Sequence, residues 1–205
     1  DVNSVRQLAS LPDTYGELQS LARSLGAGDD ALMVGTQATE TRLKQMALTD
    51  YKVLAFATHG LVAGDFAGLS EPALVLTPPE TGTERDDGLL TASEVAQLKL
   101  DADWVILSAC NTAAADGTLG AEGLSGMAKA FFYAGSRALL VSHWPVVSAA
   151  AVAITTRMLK EAAKPGIGRS EAHRLAMMAL IEDTDHPHFA HPMFWAPFVV
   201  VGEGG

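Results

Sequence analysis

Apolar positions recur along the chain with two distinct periods. Leu18, Leu21, Ala22 and Leu25 fall at helical spacing behind Thr14-Tyr15-Gly16-Glu17, whose Thr-to-Glu spacing is that of a capping box, and Gly26 supplies a left-handed stop. A first helix is predicted there, and a second, short one from Thr39 through Leu43 and Met46. Residues 52–57 read as a buried strand ending at Thr58-His59-Gly60, residues 103–107 as a second ending at Ser108-Ala109-Cys110, and residues 137–142 as a third. Between the first two lies a stretch, 61–87, rich in Gly, Pro and acids. Its only strand-like island is Ala73-Leu74-Val75-Leu76, and residues 77–88 are expected to be an exposed, mobile loop. Thr91-Ala92-Ser93-Glu94 is a second capping box. Leu124, Met127, Ala128, Phe131 and Phe132 mark an amphipathic helix stopped at Gly135; helices over 148–163 and 169–182 and a strand over 195–201 complete the chain.

Apolar strands alternating with amphipathic helices imply an α/β fold: a mostly parallel sheet flanked by helices on both faces, in a single domain over residues 1–205. In such sheets reactive groups collect past the carboxyl ends of the strands, and both His59 and Cys110 fall there.

Charge narrows the partners. The net charge of −10 leaves no surplus of cations for phosphate, so nucleic acid and anionic membrane surfaces are not expected to bind. A single cysteine excludes an intrachain disulfide and fits a reducing, cytoplasmic setting, and the first residues carry no export or lipidation signal. Residues 138–156 lack Asp, Glu, Lys and Arg, yet Ser142-His143-Trp144-Pro145 interrupts them, which reads as strand, turn and helix rather than a membrane span.

A thiol attacks a carbonyl only as thiolate, and imidazole is its usual base, so His59 and Cys110 form a candidate dyad. The Gly60 and Cys110 amides are the candidate oxyanion hole. Taken singly, each residue reads more simply as a buried cysteine or a turn histidine; taken together, the dyad is favoured. His186-Pro187-His188 with His191 reads as a polar loop rather than a metal site, since no thiolate or carboxylate ligand pattern accompanies it. His143 is read as lying inside an apolar strand, in the core or a pocket wall, and Trp144 as core or as part of a substrate cleft.

Ala57-Thr58-His59-Gly60, Leu107-Ser108-Ala109-Cys110-Asn111-Thr112, Gly120-Ala121-Glu122-Gly123, His143-Trp144-Pro145-Val146 and Phe194-Trp195-Ala196-Pro197-Phe198, in that order, resemble the CHAT domains, caspase-like proteins often joined to tetratricopeptide repeats. The resemblance runs over nearly the whole chain. It implies a caspase-like sheet and a cysteine endopeptidase of the caspase and separase clan, with His59 as base, Cys110 as nucleophile, and no metal or organic cofactor. The implied partners are a protein or peptide substrate and an upstream tetratricopeptide-repeat region or regulatory protein.

Two departures accompany it. Val147, Ser148 and Ala149 stand where separase-like members hold acids for a basic P1 side chain, so a pocket accepting neutral residues is expected; Asp116 could still supply charge, and Glu122 is read as loop structure. Relatives also have a strand before the segment matching Leu11-Pro12, whereas residues 1–10 are too polar to be it, so either the chain is a fragment or its first strand is expected from elsewhere. The rival reading is a catalytically silent caspase-like scaffold or partner-binding module.

Overall fold

The computed structural model describes residues 2–108, 123–144 and 146–205. Helices α1 (Val2–Arg6), α2 (Thr14–Ser24), α3 (Glu40–Gln45), α4 (Ala92–Val95), α5 (Gly123–Ala134), α6 (Ser148–Ala162) and α7 (Arg169–Ile181) alternate with strands β1 (Val53–Phe56), β2 (Gly60–Leu61), β3 (Ala73–Val75), β4 (Leu89–Thr91), β5 (Trp104–Leu107), β6 (Ala138–Ser142) and β7 (Phe198–Gly202). The main sheet runs β1-β5-β6-β7, with the first three strands parallel and β7 antiparallel to β6.

Both faces of this sheet are covered, which is why its strands are apolar without alternation. Val105, Leu107, Leu139 and Val141 enter one core with Val95 of α4 and Met127 and Phe131 of α5. Their neighbours Trp104, Ile106, Ala138 and Leu140 enter the other, with Leu21 of α2, Ile154 of α6 and Ala176 of α7. The fold is the expected α/β layering. At the end of α5 only glycine fits: Gly135 has φ +112°, and a Cβ there would stand 2.4 Å from the Leu100 carbonyl oxygen.

Three local expectations are corrected. The expected island is the centre of a second sheet, the antiparallel β2-β3-β4, whose outer strands lie at the two edges of the 61–87 stretch. Val5 of α1 packs into its core with Leu69, Ala73, Val75 and Leu89, so the polar amino-terminal segment is a docked helix. The stretch 77–88, expected to be mobile, is exposed over 80–85 but tied down at its end. Glu40, wholly buried at the start of α3, accepts hydrogen bonds from the amides of Asp87 (2.9 Å), Gly88 (2.7 Å) and Leu89 (3.1 Å) through Oε1. Asp86 Oδ2 accepts from the Thr41 amide (3.1 Å) and hydroxyl (2.6 Å). These partners lie more than forty residues away in sequence, so local composition could not reveal the anchor. The third correction concerns the last strand: residues 195–197 precede it, and Trp195 Nε1 donates to the Ala190 carbonyl (3.1 Å).

Residues 138–156 split between β6 and α6, and among the described residues no helix is long and apolar enough to cross a membrane. Among the described residues no strand pairs with the outer edge of β1. A cavity of about 500 Å³ runs along that edge, its walls including Leu18, Leu32, Val34, Leu54, Phe56 and Leu76.

Candidate active site at the carboxyl edge of the sheet

β1 and β5 end level with one another. Phe56 pairs with Leu107, and the Ser108 amide donates to the Phe56 carbonyl (3.2 Å), carrying the parallel register one residue beyond the strands. In sequence, His59 is three residues past Phe56 and Cys110 three past Leu107. Cys110, Asp116, Glu122 and Pro145 lie outside the described residues.

His59 is half-buried, and its position is held from several directions. Its carbonyl accepts from the Val75 amide (2.9 Å), and the neighbouring Thr58 hydroxyl donates to the Val75 carbonyl. Its ring Nε2 lies 2.7 Å from the carbonyl oxygen of Ala9. A carbonyl can only accept, so Nε2 carries the proton and Nδ1 presents its lone pair. Sequence reasoning missed Ala9, because a backbone acceptor leaves no side-chain signature. Gly60 starts β2 opposite Leu74. The Val75-to-His59 bond makes Gly60–Leu74 a non-hydrogen-bonded pair, so the Gly60 N–H points away from β3.

A second unanticipated group is Glu17. The capping-box reading of residues 14–17 is not what forms: helix α2 begins after Asp13, with no side-chain cap, and the Thr14 hydroxyl donates to the Leu11 carbonyl (2.7 Å). The Glu17 carboxyl instead lies near Ser108, the residue that follows β5, whose own hydroxyl donates to the Phe56 carbonyl (3.5 Å). Burial pushes the Glu17 carboxyl above the ordinary carboxylate range, and Ser108 offsets part of that rise. The available signal was helical period: Glu17 lies one turn before Leu21, the α2 residue buried against Trp104 and Ile106.

His143 is corrected from a strand interior to an exposed position just past β6, because the strand ends at Ser142; its amide donates to the Pro197 carbonyl (2.9 Å). Trp144 is exposed rather than core, and its Nε1 donates to the Met193 carbonyl (3.3 Å). Three other histidines have local roles: His186 stacks on Phe189 and bonds Asp183 (3.1 Å), His188 packs edgewise on Phe189 and Phe194, and His191 Nδ1 accepts from the Met193 amide (3.2 Å).

The family model for the CHAT domain matches residues 3–203. This chain belongs to the CHAT domain family. Two similar proteins are both tetratricopeptide repeat protein 28: the mouse protein is 29% identical over 83% of this chain, and the human protein 28% identical over 94%. The chain spans 8% of the length of each of these relatives. In this CHAT domain β1, which leads to His59, and β5, which leads in sequence to Cys110, are adjacent parallel strands, the arrangement the caspase-like resemblance implied.

Proposed function

We propose that this CHAT domain is a cysteine endopeptidase acting through His59 and Cys110. The observation that carries the reading is His59 itself, with Nε2 bonded to Ala9 and Nδ1 left as the basic nitrogen, just past the strand paired in register with the one that leads to Cys110. In the proposed reaction Nδ1 takes the thiol proton as sulfur bonds to the scissile carbonyl carbon, and the carbonyl π pair moves onto oxygen. The Gly60 and Cys110 amides bind that oxyanion. The Ala9 carbonyl stabilises the imidazolium through Nε2–H. Collapse breaks the C–N bond while Nδ1–H protonates the leaving amine, and water attacking the thioester with His59 as base frees the acid and restores the thiol. His143, Trp144 and Asp116 are proposed substrate contacts, and the setting is taken as cytoplasmic.

The apolar cavity beside β1 supports a further part of this reading: residues 1–205 act as one domain completed by a strand from outside them. An extended apolar segment lying there would pair with the outer edge of β1 and complete the sheet. By likeness to relatives named for tetratricopeptide repeats, that segment would come with a repeat region. The same likeness favours the alternative, a silent partner-binding module, since those names speak of repeats and not of proteolysis.

The test is a peptide-library cleavage assay on the full-length protein beside Cys110→Ala and His59→Ala. Each substitution is expected to lower cleavage at least about a thousandfold with little change in thermal midpoint. The wild-type thiol should also react with iodoacetamide at a rate that depends on His59. Cleavage surviving either substitution removes the dyad, and a wild type inert toward every peptide favours the scaffold.

A further inference from the structure

The group that bonds His59 Nε2 is a backbone carbonyl, so its place depends on whatever holds the amino-terminal segment. Ala9 follows α1 by three residues, and the Gln7 and Leu8 amides donate to the Ser4 and Val5 carbonyls (3.2 Å each), so the link from α1 to Ala9 is short and internally bonded. A helix of five residues does not hold itself together in water, and its place comes from tertiary contacts. Val5, 4% exposed, enters the core of the second sheet with Val75 and Leu89, and Leu8 packs against the same cluster. The Arg6 guanidinium donates to the Pro79 carbonyl. Val2 closes on Gly82, where a Cβ would stand 2.5 Å from the Val2 Cγ2 methyl. Residues 79–82 thereby form one wall of the α1 seat, in the stretch whose end Glu40 ties down.

Strand β3 serves both partners of the Nε2 bond. The Val75 amide donates to the His59 carbonyl (2.9 Å) and holds the backbone that carries the ring, while the Val75 side chain shares a core with Val5 and so holds the segment that carries the acceptor. The bond between ring and acceptor is 2.7 Å long, and moving α1 by about 1 Å would carry the Ala9 oxygen out of hydrogen-bond range. An imidazole without that acceptor exchanges its proton between Nε2 and Nδ1, and the Nδ1–H form has no lone pair there for a thiol proton.

We infer that Val5 is a positioning residue for His59: buried in the second sheet, it seats α1 and so sets the Ala9 carbonyl, which fixes the tautomer and direction of the imidazole. The inference rests on the peptidase reading for the reaction that this imidazole serves. It gives the second sheet a task in the site, although among the described residues that sheet supplies no side chain to the ring's bond.

The experiment loosens the seat from both sides in the full-length protein. Val5→Asp places a charge in the core that holds α1, and Gly82→Ala pushes a methyl against Val2, a milder change that keeps the test open if Val5→Asp does not fold. One readout is the pair of ring ¹⁵N shifts of His59, in protein labelled with ¹⁵N-histidine, assigned against His59→Ala and recorded at alkaline pH where the imidazole is neutral. The wild type should show the wide separation of a single Nε2–H tautomer, and both variants should draw the two shifts together. The other readout is peptide cleavage, where kcat should fall at least about tenfold while KM stays within about twofold. Adding Val2→Ala to Gly82→Ala removes the crowding methyl and should restore both readouts. Ring shifts that stay apart in both variants overturn the inference, as does a loss confined to KM or one that Val2→Ala fails to relieve. A wild type that cleaves no peptide while its ring shifts respond to the seat upholds Val5 and removes the peptidase, and cleavage with ring shifts indifferent to the seat does the reverse.

Discussion

Glu17 and Glu40 each sit in the first turn of a short helix, and burial pushes both carboxyls above their ordinary range. Their surroundings differ sharply. Glu40 receives three backbone amides on Oε1, while its Oε2 meets the Lys44 ammonium at 2.7 Å; Lys44 also binds Glu94 and the Arg85 carbonyl, each at 2.7 Å. Burial acts to lower the pKa of Lys44, and its bonds to Glu40 and Glu94 outweigh that and hold it above the ordinary value. Glu94 in turn closes a capping box on Thr91. Glu17 has Ser108. The contrast separates two settings for a costly buried carboxyl: a saturated one ties three segments into one unit, and one with few partners keeps acceptor capacity unused.

The largest expected effect comes from breaking the saturated one. Glu40→Ala leaves three amides without their acceptor and Lys44 without one of its two counter-charges, and should cost about 3–5 kcal/mol in urea unfolding. Residues 85–89 should lose amide-exchange protection with it. A cost below about 1 kcal/mol would mean that the network does not anchor that stretch, and the contrast with Glu17 would lose its structural half.

Lys44→Met is milder, because Glu40 keeps its three amides and Glu94 its cap. A loss of about 2 kcal/mol is expected, close to that of charge-assisted hydrogen bonds. If it equalled Glu40→Ala, the ion pair rather than the amide cradle would be the anchor.

The legibility of these features in the sequence follows the range of the interactions. The main-sheet strands and helices α5, α6 and α7 declare themselves through periodicity, because each buries a whole face along consecutive residues. Thr91 and Glu94 form the capping box their spacing announces, whereas the same spacing at Thr14 and Glu17 misleads, since α2 starts one residue earlier with Asp13 at its cap and Thr14 already inside the helix. His59 is legible as a histidine at a strand end; its bond to Ala9 is not, as it joins a ring to a backbone atom fifty residues away. The Glu40 anchor and the β2-β3-β4 sheet depend on the same kind of long-range pairing, and short polar segments carry no period to betray it. The resemblance to CHAT domains reached further than periodicity did, because ordered motifs record the site whatever the spacing between its parts.

The smallest effect is the most discriminating. For an acid whose folded pKa lies above its unfolded value, the folded state holds more protons than the unfolded one between the two values, so stability falls as pH rises through that window. Glu17 meets this condition: its contribution is present below the unfolded value, near 4.5, and is lost as the pH climbs through the raised folded value. Ser108, the polar group that acts on it, is neutral and does not titrate in this range. Glu17→Gln keeps a neutral hydrogen-bonding side chain at every pH. Its stability relative to wild type should therefore start near zero below pH 4.5, grow as the pH rises, and level off at no more than about 1 kcal/mol. Glu40→Gln should be less stable than wild type across the range, because an amide cannot answer Lys44, and its deficit should narrow as the pH rises, since burial raises the Glu40 carboxyl too. Parallel urea melts from pH 4 to 8 would measure both curves. If Glu17→Gln were the less stable protein at neutral pH, the Glu17 carboxylate would already have a cationic or structural partner, and the difference between the two glutamates would be one of degree.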